Sequence, residues 1–279
     1  MKLISVGDNV TDCYLDTHEY FPGGQAVNVA VNAKRDGAEE AAYLGVFGND
    51  ERAAYIKECL RAEGVSTERC RVACLPTARP GVHIVDGDRV FVHGPADSCP
   101  ALVRMRLAQG DLDLIGRYDV CHTTNEADID DQLSRINAVV PLSYDFSTDR
   151  DEAYLRTVCP NVSIAFLSGS GLSTDDADSL MRHVYEMGPK VVVMTLGERG
   201  SHCLYEDKTY VQDAVRVDAI DAMGAGDSFA AAFLVSFGKT RDAEEALAFA
   251  AQKAAHTCTL HGAFGYSHRE EGRRDAQEV

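Results

Sequence analysis

The sequence predicts an α/β protein with a mostly parallel central sheet, because short apolar runs alternate with helical patterns through most of its 279 residues. The runs are continuously apolar, as expected for strands buried on both faces of a sheet. One segment, 81–93, breaks the alternation with two β-rich arms around Asp86-Gly87, which predicts a hairpin beside the main sheet. We therefore expect one domain over 1–279 with a small separate β element.

The predicted elements follow in order along the chain. Buried strands are predicted at 3–7, 41–48, 118–124, 142–147, 163–169 and 190–197. Helices are predicted at 24–36, 50–63, 127–139 and 174–187. A further apolar helix follows Gly226, and Gly238 is expected to end it. The charged tail from Ser267 onward is expected to fray.

The composition excludes several classes of function. Hydrophobic residues make up 45% of the chain and charged residues 25%, the balance of a soluble globular protein. No apolar run approaches the roughly 20 residues of a membrane span, and the N-terminus lacks the pattern of a signal peptide. We therefore expect a cytoplasmic protein without a membrane partner. The net charge of −17 also argues against a nucleic-acid partner.

The nine cysteines give no disulfide or metal pattern. They are odd in number and scattered, and the closest pair, Cys70 and Cys74, has no second pair or histidine cluster to complete a zinc site. In a reducing cytosol we expect free and mostly buried thiols. The sequence assigns no ligands to a metal.

The segment DAMGAGDSFAAAF, residues 221–233, places three small residues directly before an apolar helix. The first N–H groups of a helix have no partner within it, and the helix dipole adds partial positive charge there. Gly224, Ala225 and Gly226 would let an anion approach these donors. Asp227 is then explained as a general base that faces a hydroxyl attacking a phosphate. The alternative is a tight turn followed by an ordinary first-turn acid.

Two other phosphate-binding motifs do not fit. A dinucleotide-binding fingerprint needs a third glycine at position 229, which is Phe229. The GKT at 238–240 is similar to the end of a P-loop, but the earlier glycine would fall at Phe233.

A second glycine cluster, Gly23-Gly24, precedes the helix that carries Asn28. Asp12 is expected just beyond the first strand, and ligands of parallel α/β sheets bind at the carboxyl ends of strands. Carboxylate and amide groups suit a polyhydroxylated substrate. The alternative is an exposed Asn28 in an ordinary first helical turn.

Gly-Gly-x-x-x-Asn at 23–28 and Asp-x-x-Gly-Ala-Gly-Asp at 221–227 resemble the two signatures of the ribokinase-like (PfkB) sugar kinases, in the family's order and spacing. Within the family the chain resembles kinases that phosphorylate fructoselysine at its 6-hydroxyl. That likeness rests on GDNVTDCY, GGQAVNVAV, DGDRVF, YDFS, TLGERGS, IDAMGAGDSF and HGA. The resemblance covers about residues 2–265 and implies a three-layer ribokinase-like fold with a small β lid, whose elements we expect around 10–22 and 77–95.

The resemblance also implies an activity and its site residues. ATP, accompanied by Mg²⁺, would phosphorylate a hydroxyl of a small sugar or fructosamine. Asp227 matches the family's catalytic base, and its anion hole matches Gly224, Ala225 and Gly226. The implied sugar contacts are Asp12, Gly23, Gly24, Asn28 and, from the lid, Arg89. The implied nucleotide-side turn contains Thr195, Gly197 and Gly200, and 249–255 would be the helix beside the adenine.

One departure from the family leaves alternatives open. The family carries an Asn-x-x-Glu-like stretch whose Glu helps to organise magnesium, and the corresponding LSGSGLS at 167–173 has no Glu. Asp175 and Asp176 are better explained as helix N-terminal residues. The alternatives are another sugar or nucleoside kinase of the family, or a non-catalytic sugar-binding regulator. Asp227 argues against the regulator and the missing Glu argues for it. The hairpin's open edge predicts a homodimer through the lid.

Overall fold

The computed structural model describes residues 1–85, 88–92 and 94–270. The strands are β1 Lys2–Val6, β2 Val10–Tyr14, β3 Glu19–Gly23, β4 Glu40–Leu44, β5 Val46–Phe47, β6 Arg71–Val72, β7 Gly81–Val85, β8 Asp88–Val92, β9 Val120–Thr124, β10 Leu142–Asp145, β11 Ile164–Ser168, β12 Val191–Thr195, β13 Ser201–Tyr205, β14 Lys208–Gln212 and β15 His268–Arg269. The helices are α1 Gln25–Arg35, α2 Glu51–Ala62, α3 Cys99–Leu102, α4 Gln109–Ile115, α5 Leu133–Asn137, α6 Glu152–Val158, α7 Thr174–Glu186, α8 Ala225–Thr240 and α9 Ala243–Thr257.

The central sheet has, among the described residues, eight strands in the order β14-β13-β12-β11-β10-β9-β1-β4. Neighbours from β12 to β4 are parallel, while β13 and β14 add an antiparallel edge. Successive residues of a strand point to opposite faces. Val193 of β12 accordingly belongs to the core that includes residues of α1, α8 and α9, and Met194 belongs to the core that includes residues of α4 to α7. Helices on both faces and a mostly parallel sheet confirm the predicted fold class.

A second sheet lies beside the first and has the strand order β15-β3-β2-β7-β8 in the described part of the chain. β7 and β8 pair antiparallel, which confirms the predicted hairpin, although its turn residues Asp86 and Gly87 lie outside the described residues. One face of this sheet packs against α1 and α2 through Tyr14, Phe21 and Val82. The shared core fixes the second sheet over the start of α1.

The predicted strand 41–48 is two strands. Gly45 separates β4, which joins the central sheet, from β5, which pairs with β6. A Cβ at Gly45 would lie 1.9 Å from the Tyr43 hydroxyl, which donates to the carbonyl of Gly7 at 2.8 Å. The chain therefore turns where a continuous apolar run predicted an unbroken strand.

The predicted helix 127–139 is shorter than expected. A 3₁₀ turn at Asp130–Gln132 precedes α5, and Asp128 adopts a left-handed conformation with φ of 50°. The Gln132 amide bonds both ways to a neighbouring backbone segment, accepting from Leu107 N at 2.7 Å and donating to Met105 O at 2.8 Å. This tertiary contact outweighs the local helical pattern.

The expected end of α8 was wrong, and the expectation for the C-terminal tail was wrong for the start of that tail. Gly238 does not end α8, which continues to Thr240. A Cβ at Gly238 would lie 2.8 Å from Met1 Cγ, so this glycine makes room for the N-terminal residue. The start of the predicted frayed tail is ordered, because His268 and Arg269 form β15 against β3. Residues 271–279 of that tail lie outside the described residues.

The nine cysteines, all within the described residues, are free, and six of them are buried, as predicted. In the described ranges, no helix has both the length and the apolar character needed to cross a lipid bilayer.

Candidate active site

The two glycine-containing signatures meet at one hydrogen bond. Asn28 Nδ2 donates to Asp227 Oδ2 at 2.7 Å, although the residues are 199 positions apart in sequence. Asn28 lies in the first turn of α1 and Asp227 in the first turn of α8. Their exposed fractions are 3% and 8%. The two helix N-termini thus place a carboxylate and an amide side by side.

The turn before α8 is open at its tip. Gly224 is the N-cap of α8 with φ of 71°, a left-handed conformation that favours glycine, and a Cβ there would lie 2.3 Å from Ala263 Cβ. Gly226 is exposed, and a Cβ there would meet nothing within 4 Å. Ala225 N–H is used within the turn, where it donates to Ala222 O at 3.2 Å. An anion has room to approach the helix N-terminus at Gly226.

Asp221 fixes the shape of this turn. Its side chain is fully buried. Oδ1 accepts from Met223 N at 2.9 Å, while Oδ2 accepts from the Tyr14 hydroxyl at 2.5 Å and from Gly262 N at 2.8 Å. The first aspartate of the signature is therefore a structural anchor.

The Gly23-Gly24 pair has a steric origin. A Cβ at Gly23 would lie 2.1 Å from Asp12 Oδ2, and one at Gly24 would lie 2.8 Å from Asp8 Oδ2. Gly24 also has φ of 101° as the N-cap of α1. Asp12 lies inside β2 of the second sheet rather than just beyond β1, which corrects the expectation from sequence. The two glycines allow two carboxylates to lie against the start of α1.

Asp8 is a site residue that the sequence reasoning missed. It lies two residues beyond the end of β1, and its Oδ1 accepts from Ala26 N at 3.3 Å in the first turn of α1. Burial raises its pKa to about 7, and the charges of Asp227 and Glu126 contribute in the same direction. Its place at the carboxyl end of the first strand was the available signal.

Asp145, at the carboxyl end of β10, was also missed. Burial raises its pKa to about 6. The hydrogen bond that its Oδ1 accepts from Ser147 N at 2.7 Å lowers the pKa but does not offset the effect of burial. The same edge of the central sheet therefore carries two carboxyl groups whose pKa values lie well above their ordinary range.

The predicted nucleotide-side turn lies farther along this edge. Thr195 ends β12, which β11, β10 and β9 separate from β1, or roughly 19 Å at the usual strand spacing. A Cβ at Gly200 would lie 2.0 Å from Gln212 O, so that glycine packs against β14. Gly197 has φ of 61° and open space around its Cα. The turn offers an open surface at the far end of the edge.

The loop 167–173, which lacks the family's Glu, is held by two arginines. Arg150 Nη2 donates to Ser168 O at 2.7 Å and to Ser170 O at 2.9 Å, and Arg199 Nη2 donates to Leu172 O at 2.8 Å. No group of three or more His, Cys, Asp or Glu side chains in the described ranges is arranged to hold a metal ion.

Asp176 belongs to the start of α7. Ser173 Oγ accepts from Asp176 N at 3.1 Å and donates to the Asp176 carboxylate at 2.6 Å, a capping arrangement that agrees with the helix N-terminal interpretation.

Arg89 lies on β8 opposite Ile84, and its side chain is outside the described part of the structure.

Comparison with solved structures places this fold in a class. A solved structure of Arabidopsis thaliana ribokinase complexed with ribose and ATP matches with a TM-score of 0.80 and 20% identity, covering 94% of each chain. At that identity the match shows the fold, which is ribokinase-like. The features on which this class rests are the ribokinase-like α/β fold and, within it, the Asp227 carboxylate at the open N-terminus of α8.

Sequence comparison then gives the family. The model of the pfkB family carbohydrate kinases matches residues 1–267. The chain is 42% identical over 272 residues to fructosamine kinase FrlD of Bacillus subtilis (strain 168), covering 96% of this chain and 94% of that one. It is 31% identical over 265 residues to fructoselysine 6-kinase of Escherichia coli (strain K12), covering 94% and 99%. The chain belongs to the pfkB family and is an ATP-dependent carbohydrate kinase.

Proposed function

We propose that this kinase phosphorylates a fructosamine, with the 6-hydroxyl of fructoselysine or a related compound as the acceptor. The similarity to a fructosamine kinase and to a fructoselysine 6-kinase supports this substrate class. The observation that carries the chemistry is the Asp227 carboxylate beside the open N-terminus of α8, held by Asn28 at 2.7 Å. Phosphoryl transfer to a hydroxyl requires a base for the hydroxyl proton and a site that binds the transferred anion, and these two groups meet here.

Asp227 acts as the general base. It takes the proton from the sugar hydroxyl as that oxygen attacks the γ-phosphorus of ATP, and ADP leaves. Gly224, Ala225 and Gly226 form the turn whose N–H groups, with the helix dipole, stabilise charge on the transferred phosphoryl group. Because Ala225 N–H has a partner in the turn, the free approach at Gly226 is the main route for the anion. Asn28 orients the carboxylate.

The sugar side of the site consists of hydrogen-bond acceptors. Asn28 Oδ1 is buried and has no hydrogen-bond partner among the described residues, and Asp12 adds a carboxylate 4% exposed. Acceptors call for a donor-rich ligand, which a polyol with several hydroxyl groups provides. Gly23 and Gly24 shape this pocket, and Arg89 and the second sheet form its lid.

ATP lies along the carboxyl edge of the central sheet in this proposal, from the turn before α8 toward Thr195, Gly197 and Gly200. Mg²⁺ would bind together with ATP, since this ion usually takes one or two carboxylates and otherwise water and substrate phosphates as ligands. Asp145, at the same edge, is the side chain that we assign to its hydration shell. When bound, Mg²⁺ neutralises charge on the phosphates. The cysteines, all free, suit an enzyme of the reducing cytoplasm.

The test is ADP release with Mg·ATP across a panel of hexoses, pentoses, nucleosides and fructosamines, followed by location of the new phosphate by ³¹P–¹H NMR. We expect the highest kcat/KM with a fructosamine and the phosphate on its 6-hydroxyl. A preference of tenfold or more for a free sugar or a nucleoside would refute the substrate assignment. Phosphate at another position would refute the choice of hydroxyl.

A further inference from the structure

Tyr14 joins the second sheet to the turn before α8 through a buried hydrogen bond. It is the last residue of β2, it is 4% exposed, and its hydroxyl donates to Asp221 Oδ2 at 2.5 Å. Burial raises the pKa of Tyr14, and the hydrogen bond to Asp221 raises it further. The phenol therefore stays protonated and remains a donor at neutral pH.

Asp221 connects this hydroxyl to two other segments. Its two oxygens also accept from Met223 N in the turn and from Gly262 N in the loop 261–263. A single fully buried carboxylate thus ties together β2, the turn and the loop. Because both oxygens of Asp221 accept hydrogen bonds, a displacement of one segment moves the carboxylate and so changes its hydrogen bonds to the other two segments.

Packing joins the same three segments. A Cβ at Gly262 would lie 2.6 Å from the ring of Phe21 on β3, and one at Gly224 would lie 2.3 Å from Ala263 Cβ. The loop is therefore pressed between the second sheet and the turn without space for even a methyl group. Close-packed contacts of this kind transmit displacement.

Asp12 places the proposed sugar contact on the same strand face. It precedes Tyr14 by two residues in β2, and residues at that spacing share a face. Its charge also contributes to the raised pKa of Tyr14, as expected for groups close together. A ligand held by Asp12 therefore restrains the strand that carries the Tyr14 hydroxyl.

We propose that Tyr14 is a positioning residue that couples sugar binding to the phosphate-binding turn. Substrate at Asp12 restrains β2, and the Tyr14 hydroxyl passes that restraint through Asp221 to the turn that presents Gly226 and Asp227. This inference rests on the proposed function, because it takes Asp12 as a sugar contact. Coupling of this kind is reciprocal, so sugar strengthens ATP binding and ATP strengthens sugar binding by the same factor.

The variant Tyr14→Phe removes the hydroxyl and keeps the ring. The dissociation constant of a non-hydrolysable ATP analogue with Mg²⁺ is measured with and without the fructosamine that supports the highest turnover. In the wild type we expect the fructosamine to tighten binding at least about fivefold. In Tyr14→Phe we expect less than twofold tightening and a roughly tenfold lower kcat, with the KM of the sugar changed less than threefold.

The matched control is Tyr55→Phe, which removes the hydroxyl that donates to Tyr266 O at 3.0 Å and does not contact Asp221. It should keep the wild-type coupling. Equal coupling in Tyr14→Phe and the wild type, with normal turnover, would overturn this inference and leave the proposed function intact. Failure of every sugar and fructosamine to be phosphorylated would refute the proposed function and this inference together.

A second measurement does not depend on the folding of any variant. Amide hydrogen exchange at 222–228 is followed in the wild-type enzyme, with and without the fructosamine and in the absence of nucleotide. We expect exchange of the turn to slow when the sugar binds. Unchanged exchange at a saturating sugar concentration would overturn the coupling.

Discussion

Replacing Asp227 by Asn tests the catalytic base most directly. The amide is nearly isosteric, and its oxygen can still accept from Asn28 Nδ2, which lies 2.7 Å from Asp227 Oδ2. Packing and the opening at Gly226 should therefore persist, while the ability to accept a proton is lost. A positioned base contributes at least about a hundredfold, or about 2.7 kcal/mol of activation free energy, so we expect kcat to fall by that factor or more.

The assay is ADP release at saturating fructosamine and Mg·ATP, with the ATP dissociation constant and the melting temperature measured on the same samples. Asp242→Asn is the matched control, because Asp242 caps α9 by accepting from Glu244 N and Glu245 N, and Asn caps a helix about as well. It should keep its kcat. A kcat of Asp227→Asn within tenfold of the wild type would refute the base assignment. A large fall in ATP affinity or melting temperature would attribute the loss to structure.

A second variant probes the same hydrogen bond with the opposite chemistry. Asn28→Asp places another carboxylate beside Asp227, and repulsion between like charges at that distance raises the higher of the two apparent pKa values of the pair. The acid limb of the kcat profile should move to higher pH by about one unit or more. An unmoved limb would mean that Asp227 does not have to be ionised for turnover.

Four further predictions concern other parts of the molecule. Folding raises the pKa of Asp8 to about 7, so its contribution to stability falls as pH rises from about 4 to about 7. The effect of Asp8→Asn on the free energy of unfolding, measured with denaturant, should therefore be more favourable at pH 8 than at pH 5 by roughly 2–3 kcal/mol. Asp176→Ala removes the acceptor of the Ser173 hydroxyl and a negative charge in the first turn of α7, and it should cost about 1 kcal/mol. It should leave the Mg²⁺ dependence of activity unchanged, and a raised Mg²⁺ requirement would show a metal role. Arg89→Ala should raise the KM of the sugar more than it lowers kcat, and the reverse split would reject a ground-state contact. Phe91, 53% exposed on β8, should support a dimer in sedimentation that Phe91→Glu converts to monomer, whereas a wild-type monomer would contradict the edge pairing.

The parallel strands could be predicted from the sequence because strands buried on both faces consist of uninterrupted apolar residues. Val191, Val192 and Val193 of β12 contact helices on opposite faces, and such strands are apolar without interruption. β13 is buried but was missed because its sequence, SHCLY, is not a continuous apolar run, and β14 was missed because it is not buried. β14 is half-exposed, and the turn between the two strands uses Glu206 and Asp207 in left-handed conformations, without a glycine to mark it.

The site residues were recognisable one by one, but their arrangement was not. Both Asn28 and Asp227 belong to signatures at helix starts, yet a contact across 199 residues depends on how α1 and α8 pack. Asp12 was recognised and misplaced, because no local pattern distinguishes a loop from the short strand β2. Asp8 was missed because its raised pKa comes from burial and neighbouring charge, which only the folded chain supplies.

The two edges of the second sheet differ, and this difference limits how copies of the chain could assemble. β15 covers part of one edge by pairing with β3, while β8 leaves its outer row of backbone groups without a neighbouring strand in the described structure. An isologous pairing of β8 with β8 uses that row in both copies and closes the assembly at two. Continued growth into a fibre would need a second open row on each copy. If copies pair through β8, β15 occupies the part of the β3 row that lies opposite Glu19 and Tyr20, and a truncation before His268 would expose that part of the row.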